Sequence, residues 1–132
     1  MVRTKARENA FLLLFQMSFD GADVSDILSA NAEVGEIETD EFCEKLINGV
    51  LGNKDEIDAV IEKHLKNWKK ERLSKTALTV LRLAVYEMRF CDDVDDGVAI
   101  SQGVELMKKY DEEKGASFVN GILGSISRDG DE

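Results

Sequence analysis

An all-α fold is predicted by three features of the chain. It contains no proline, so nothing along its 132 residues interrupts a helix by a fixed φ or a missing donor. Apolar residues recur with a period near 3.6 in every apolar segment, and the period-two alternation of a half-buried strand is absent. Ala, Leu, Glu and Lys, which favour helix, are abundant. The length suits one domain with a real core, and the periodic segments amount to about seven helices.

The first helix is expected over residues 2–19, with Ala6, Ala10, Leu13, Leu14 and Met17 on its core face. Arg3, Arg7, Phe11 and Phe15 follow one another at intervals of four and form a row along the edge of that face, cations at one end and aromatics at the other. Such a row suits a phosphate backbone and an unstacked base. The alternative is that the arginines are solvated and both rings are core. Gly21 ends the helix, a short second helix is expected around residues 23–32, and residues 33–40 read as an exposed acidic loop.

Thr39 is the expected N-cap of a third helix over residues 40–51, whose Phe42, Leu46, Ile47 and Val50 make an apolar stripe. Asn53 and Glu56 fit a reciprocal cap that would open a fourth helix carrying Ile57, Val60, Ile61 and Leu65. His64 is the only histidine, and no serine or carboxylate stands near it in a triad arrangement, so a catalytic role is not expected. Trp68, among lysines, is either a stacking platform or a hydrophobic plug between helices.

Residues 73–90 should form the central core helix. Lys75, Thr79, Arg82, Tyr86 and Arg89 draw one narrow polar stripe, while Ala77, Leu78, Val80, Leu81, Leu83, Ala84, Val85 and Met88 cover a wider arc than a surface helix needs. Ser74 is its expected N-cap, and Arg82 must reach a carboxylate or water. The run is too short and too interrupted by charge to span a bilayer.

Asp92, Asp93, Asp95 and Asp96 lack the spacing of a calcium loop and are expected to cap the following helix rather than bind metal. That helix should span residues 97–110, where Gly103 costs roughly 1 kcal/mol relative to alanine unless close packing needs it. A last helix is expected over residues 116–126, with the residues after it frayed.

Cys43 and Cys91 are far apart and without ligand-spaced neighbours, which fits reduced, half-buried packing residues. The N-terminus lacks the apolar core of a secretion signal, so a cytoplasmic protein is expected. A net charge of −10 argues against nucleic acid at first sight, but the charge is blocked. Residues 20–62 carry thirteen acids against Lys45 and Lys54, whereas residues 63–75 carry six bases against Glu71 alone, and Arg3, Lys5 and Arg7 outnumber Glu8 at the start. No phosphate-binding glycine loop, paired catalytic carboxylates or nucleophile elbow is present.

In this order the stretches RTKARENAFLLLFQ, FCEKLINGV with the following Ile57 and Asp58, HLKNWKKERL, TVLRLAVYEM, VAISQGVELMKKY and FVNGIL resemble the NusB transcription antitermination family over nearly the whole chain. LRLAVYE and FVNGIL are the more specific of these. The resemblance implies one domain over residues 1–128 made of two packed helical bundles, an N-terminal half of about residues 1–72 and a C-terminal half of about residues 73–128, followed by a frayed acidic tail over 129–132. It implies a role without enzymatic activity, and no cofactor or metal is expected. It implies binding of boxA-type RNA together with the small-subunit ribosomal protein NusE, in a complex that helps RNA polymerase resist termination, notably on ribosomal RNA operons.

By the same resemblance the RNA-facing residues are Arg3, Lys5, Arg7, Phe15, Tyr110 and Lys114, with Phe118 close by. The partner surface falls on Trp68, Lys69, Arg72 and Lys75. The chain departs from the family in lacking a proline before the VAI segment and in reading SQGVEL where the family reads NEAVEL. The small N-terminal base count predicts weak, salt-dependent RNA binding by the isolated protein. Two alternatives stand beside this reading. One is a NusE-binding module without useful RNA contact. The other is an enzymatic role, since the domain resembles the N-terminal part of some RNA cytosine methyltransferases, although no cofactor-binding α/β domain follows here. A homodimer burying the RNA face is left open.

Overall fold

The computed structural model describes residues 1–20, 37–66 and 69–130. Among these residues the chain forms α1 (Arg3–Asp20), α2 (Glu41–Gly52), α3 (Lys54–Lys63), a 3-10 turn (Lys70–Arg72), α4 (Lys75–Phe90), α5 (Asp96–Tyr110) and α6 (Glu113–Gly130), with no strand. The second helix expected over residues 23–32 lies outside the described residues, as does Trp68. No described helix is long and apolar enough to cross a membrane.

α4 is the hub, packed against α1, α2, α3, α5 and α6. Val80, Leu81, Leu83, Ala84 and Val85 are all buried, and burial of each larger side chain contributes about 1.5–3 kcal/mol. The narrow polar stripe is partly covered too. Thr79 and Tyr86 are buried, and Thr79 satisfies its hydroxyl by donating to the Lys75 carbonyl at 2.7 Å. Arg82 does reach a carboxylate. Its Nε and Nη2 donate to the two oxygens of Asp58 at 2.8 and 2.9 Å, joining α4 to α3, while Lys70 from the 3-10 turn bonds the same carboxylate at 3.3 Å. Burial raises the Asp58 carboxyl, but Arg82 and Lys70 outweigh it and hold the group below the usual carboxylate range.

Two glycines let α4 and its neighbours approach. A Cβ on Gly49 of α2 would lie 2.1 Å from Cζ of the Tyr86 ring, so that ring fits only where no side chain stands. A Cβ on Gly103 of α5 would lie 3.3 Å from Val80 and 3.4 Å from Leu123. The mid-helix glycine is thus set where α4, α5 and α6 meet.

Several helix ends differ from expectation. Ser74 caps α4 as expected, accepting from the Ala77 amide at 3.0 Å. The N-cap of α2, however, is Asp40 and not Thr39. Asp40 has the extended backbone that a cap needs and accepts from the Cys43 amide at 2.8 Å. The reciprocal cap at Asn53 does not form, because Asn53 donates its side-chain amide to the Gly49 carbonyl and so closes α2 instead of opening α3. Asp95 is the N-cap residue of α5 but makes no side-chain cap bond. Its neighbours Asp93 and Asp96 reach Arg3 and Ser127.

α6 continues past residue 126 to Gly130, where fraying was expected. The extension is tied down. Ile126 is fully buried, Arg89 donates to its carbonyl, and Ser127 donates to Asp96 at 2.7 Å. Cys43 and Cys91 are free thiols, buried rather than half-buried, and burial pushes Cys43 up to about 11, which leaves it unreactive.

Candidate nucleic-acid interface

The first turns of α1 separate residues by depth. Positions 6, 10, 13 and 14 face the core and are buried. Arg3 and Lys5 are exposed; Arg7 is not. Its Nε donates to Glu87 Oε1 at 2.7 Å, with both side chains almost wholly buried, so α1 is pinned to α4 by an internal ion pair. This burial removes Arg7 from the exposed RNA-facing set in which it was expected and from the alternative of a solvated arginine. Arg3 lies over the Phe42 ring at 4.3 Å and pairs with Asp93 at 2.8 Å, both partners in that ion pair being about half exposed.

On the α5 side, Glu8 collects three donors. Lys5 reaches its Oε1 at 3.1 Å, and Lys109 and Tyr110 Oη both donate to Oε2, the latter at 2.8 Å. The Lys109 hydrogen bond does most to lower the Glu8 carboxyl; burial opposes it, Tyr110 and Lys5 add to it, and the result is about 2. The Tyr110 ring also packs in a tilted arrangement 5.1 Å from Phe11, which stacks 5.7 Å from Phe15. Phe11 is core, whereas Phe15 is half-buried and Tyr110 exposed. The end of α5 therefore brings one tyrosine and two lysines, Lys108 and Lys109, to the edge of α1 that carries Lys5. Between the helices runs an open groove of about 470 Å³.

This linkage carries a pH prediction. A carboxyl held at about 2 in the fold, against 4.5 as its reference, favours the folded state only while ionised. Its contribution is fully present above pH 4.5 and is lost as the pH falls toward 2. Acid unfolding followed by circular dichroism should therefore show a steeper loss of stability across this window in the wild type than in Glu8→Gln; parallel curves would contradict the assignment.

Lys114 stands at the start of α6 and is exposed, lining a second groove with Lys108, Ser117 and Asn120. Phe118, one turn on, is half-buried and lines a different groove with His64, Lys66 and Arg128. The structure thus brings Lys5, Phe15 and Tyr110 together around Phe11 and Glu8, and sets Lys114 and Phe118 further along α6. Of the expected partner surface, Lys69 and Arg72 are exposed, and Lys75 donates to the Ser18 carbonyl at 2.7 Å, tying the start of α4 to the end of α1.

His64 does have a serine and a carboxylate beside it, contrary to the sequence expectation. Its Nδ1 lies 2.8 Å from Ser125 Oγ and its Nε2 3.0 Å from Asp129 Oδ2. The partners come from α6, some sixty residues away, which no local spacing announces. Both stand on α6, one helical turn apart. The buried histidine closes α3 and clamps the end of α6 against it.

Comparison with known proteins bears on the chain as a whole. The family model for the NusB family matches residues 4–128. A protein named transcription antitermination protein NusB, from Listeria monocytogenes serotype 4b (strain CLIP80459), is 42% identical over 127 residues, covering 96% of this chain and 97% of its own. Among solved structures, T. maritima NusB superposes with a TM-score of 0.85 at 32% identity, covering 97% of this chain and 92% of that one. A crystal structure of antitermination factors NusB and NusE in complex with dsRNA superposes with a TM-score of 0.83 at 32% identity, covering 96% of both chains.

Proposed function

The chain belongs to the NusB family, and from that premise we propose that it is a transcription antitermination factor that binds boxA-type single-stranded RNA jointly with the ribosomal protein NusE in the cytoplasm. In that role it helps RNA polymerase pass termination signals, notably on ribosomal RNA operons. The observation that carries the reading is the edge where α1 meets the end of α5, at which the packed rings of Phe15, Phe11 and Tyr110 lie beside Lys5 and Lys109. Aromatics there offer stacking to unpaired bases, and cations offer phosphate neutralisation. A similar protein crystallised with NusE and RNA supports the same assignment.

Arg3, Lys5, Phe15, Tyr110, Lys114 and Phe118 are assigned to RNA contact. Arg7 acts indirectly, through Glu87, by holding the helix that presents Arg3 and Lys5. Trp68, Lys69, Arg72 and Lys75 are assigned to the protein partner. The chemistry required is association without bond making, so no reacting group is needed.

One observation favours a second reading. Arg3, Lys5, Lys108 and Lys109 all have an acid within salt-bridge distance, which weakens the field available to RNA and suits a module that binds only NusE. Fluorescence anisotropy of a labelled boxA-type RNA, titrated with this protein with and without cognate NusE at two salt concentrations, separates the two. Binding that tightens with NusE and weakens with salt supports antitermination; NusE binding with no RNA binding at either salt overturns the RNA role.

A further inference from the structure

The cations on the candidate RNA edge are neutralised unequally. Asp93 and Glu105, which pair with Arg3 and Lys108, are more than half exposed, so these pairs are screened and exchange freely with solvent. Glu8 is different. It is 9% exposed, and its two oxygens accept from Lys5, Lys109 and Tyr110 at once. Two ammonium groups and a phenol hydroxyl converging on an oxyanion form the donor set that a phosphodiester would use. All three donors belong to the protein's surface, since Lys5, Lys109 and Tyr110 are themselves exposed.

Resting on the RNA-binding reading, we propose that Lys5, Lys109 and Tyr110 are the seat of one RNA phosphate and that the Glu8 carboxylate fills this seat in the free protein. RNA binding then exchanges one anion for another. The donors keep their hydrogen bonds, and the carboxylate swings into the groove of about 470 Å³ that it already lines, where water reaches it. Glu8 thus sets the RNA affinity from inside the site. It also filters ligands, because an anion that cannot bring further contacts to Phe15 or Arg3 gains nothing over the carboxylate it displaces.

A phosphate contact thereby falls to Lys109, which precedes Tyr110 at the end of α5. Glu8 becomes an opponent of binding, whereas a scaffold role would make it a helper, so the two readings differ in sign.

The test is anisotropy titration of labelled boxA-type RNA, in the presence of cognate NusE, with the wild type, Glu8→Gln, Lys109→Met and the double variant. Glu8→Gln preserves shape and removes the competing charge, and it should bind about tenfold more tightly, the effect of one charge-assisted contact released. Lys109→Met should bind about tenfold more weakly, with a salt slope lower by about 0.7, the loss of one phosphate contact on a single strand. The double variant should lose most of the gain of Glu8→Gln.

If the wild type binds and Glu8→Gln binds equally or more weakly, Glu8 is a scaffold and the proposal falls while the RNA-binding reading survives. If none of the four proteins binds RNA although all bind NusE, both fall together. Should Glu8→Gln prove unfolded by circular dichroism, Lys109→Met decides the matter alone, since its side chain is exposed: RNA affinity and salt slope unchanged from the wild type would overturn the phosphate seat.

Discussion

Replacing Glu87 with alanine is expected to cost about 3–5 kcal/mol of folding stability, enough to consume a large part of a small domain's margin. The reason is the guanidinium left behind. Arg7 is 5% exposed, its Nε is held by Glu87 at 2.7 Å, and an arginine cannot shed its charge. Replacing Arg7 with alanine should cost less, because the orphaned Glu87 has an exit. Burial already raises its carboxyl above the usual range, opposed only in part by Arg7, so without that cation it can take up a proton and remain inside as a neutral acid.

The pH dependence follows. A carboxyl raised in the fold contributes stability at pH values below its reference value and loses that contribution as the pH rises through the folded value. Arg7→Ala should therefore be stabilised by mild acidification relative to the wild type. A paired Arg7→Met, Glu87→Leu variant should be more stable than either single alanine variant, since no charge stays buried. Urea unfolding at pH 5 and pH 8 measures all four proteins. Equal losses for both single variants, independent of pH, would show that Arg7 and Glu87 do not form an internal ion pair.

The uneven legibility of the chain has the same physical origin as this prediction. Helices were readable because burial of a face imposes a local period, and α1, α2, α4 and α5 begin and end within about two residues of the positions that period suggests. Arg82 was readable as far as its need, a carboxylate, but not as far as Asp58, because the partner comes from another helix. Glu87 escaped notice altogether. It stands beside Tyr86 in the stripe region yet turns inward, and only the burial of Arg7, eighty residues earlier, explains a glutamate there. Glu8 was counted merely as an acid offsetting nearby bases, when it is the atom group on which Lys5 and Tyr110 converge.

Two of the expected caps failed for a related reason, whereas Ser74 held. Thr39 and Asp40 are both competent cap residues, and the choice between them depends on which backbone is extended, a matter of how the preceding segment arrives. Asn53 could serve the end of α2 or the start of α3, and only one residue separates the two helices. In the candidate site, the residue types were legible and the pairings were not. Arg7, counted among the RNA cations from its place beside Arg3 and Lys5, sits one position too close to the core face to remain outside.

Removing Arg3, Lys5 and Lys114 together, each to alanine, is expected to lower affinity for boxA-type RNA by roughly a hundredfold in the presence of NusE at moderate salt. The slope of log affinity against log salt should fall by about 2, since each phosphate contact on a single strand contributes about 0.7. All three side chains are exposed, so the fold should be unaffected, and NusE binding should be unchanged. Arg7 is left in place because its loss would confound binding with stability. The affinity that remains should keep the small salt slope of the Lys109 contact, about 0.7, the rest coming from stacking on Phe15 and Tyr110, worth about 1–3 kcal/mol per base. Removing Lys5 also takes one donor from Glu8, so the triple effect should fall short of the product of the single ones. A hundredfold loss with an unchanged slope would mean that these cations act by shaping the surface and not by touching phosphates. An unchanged affinity would move the RNA path away from the α1 edge altogether.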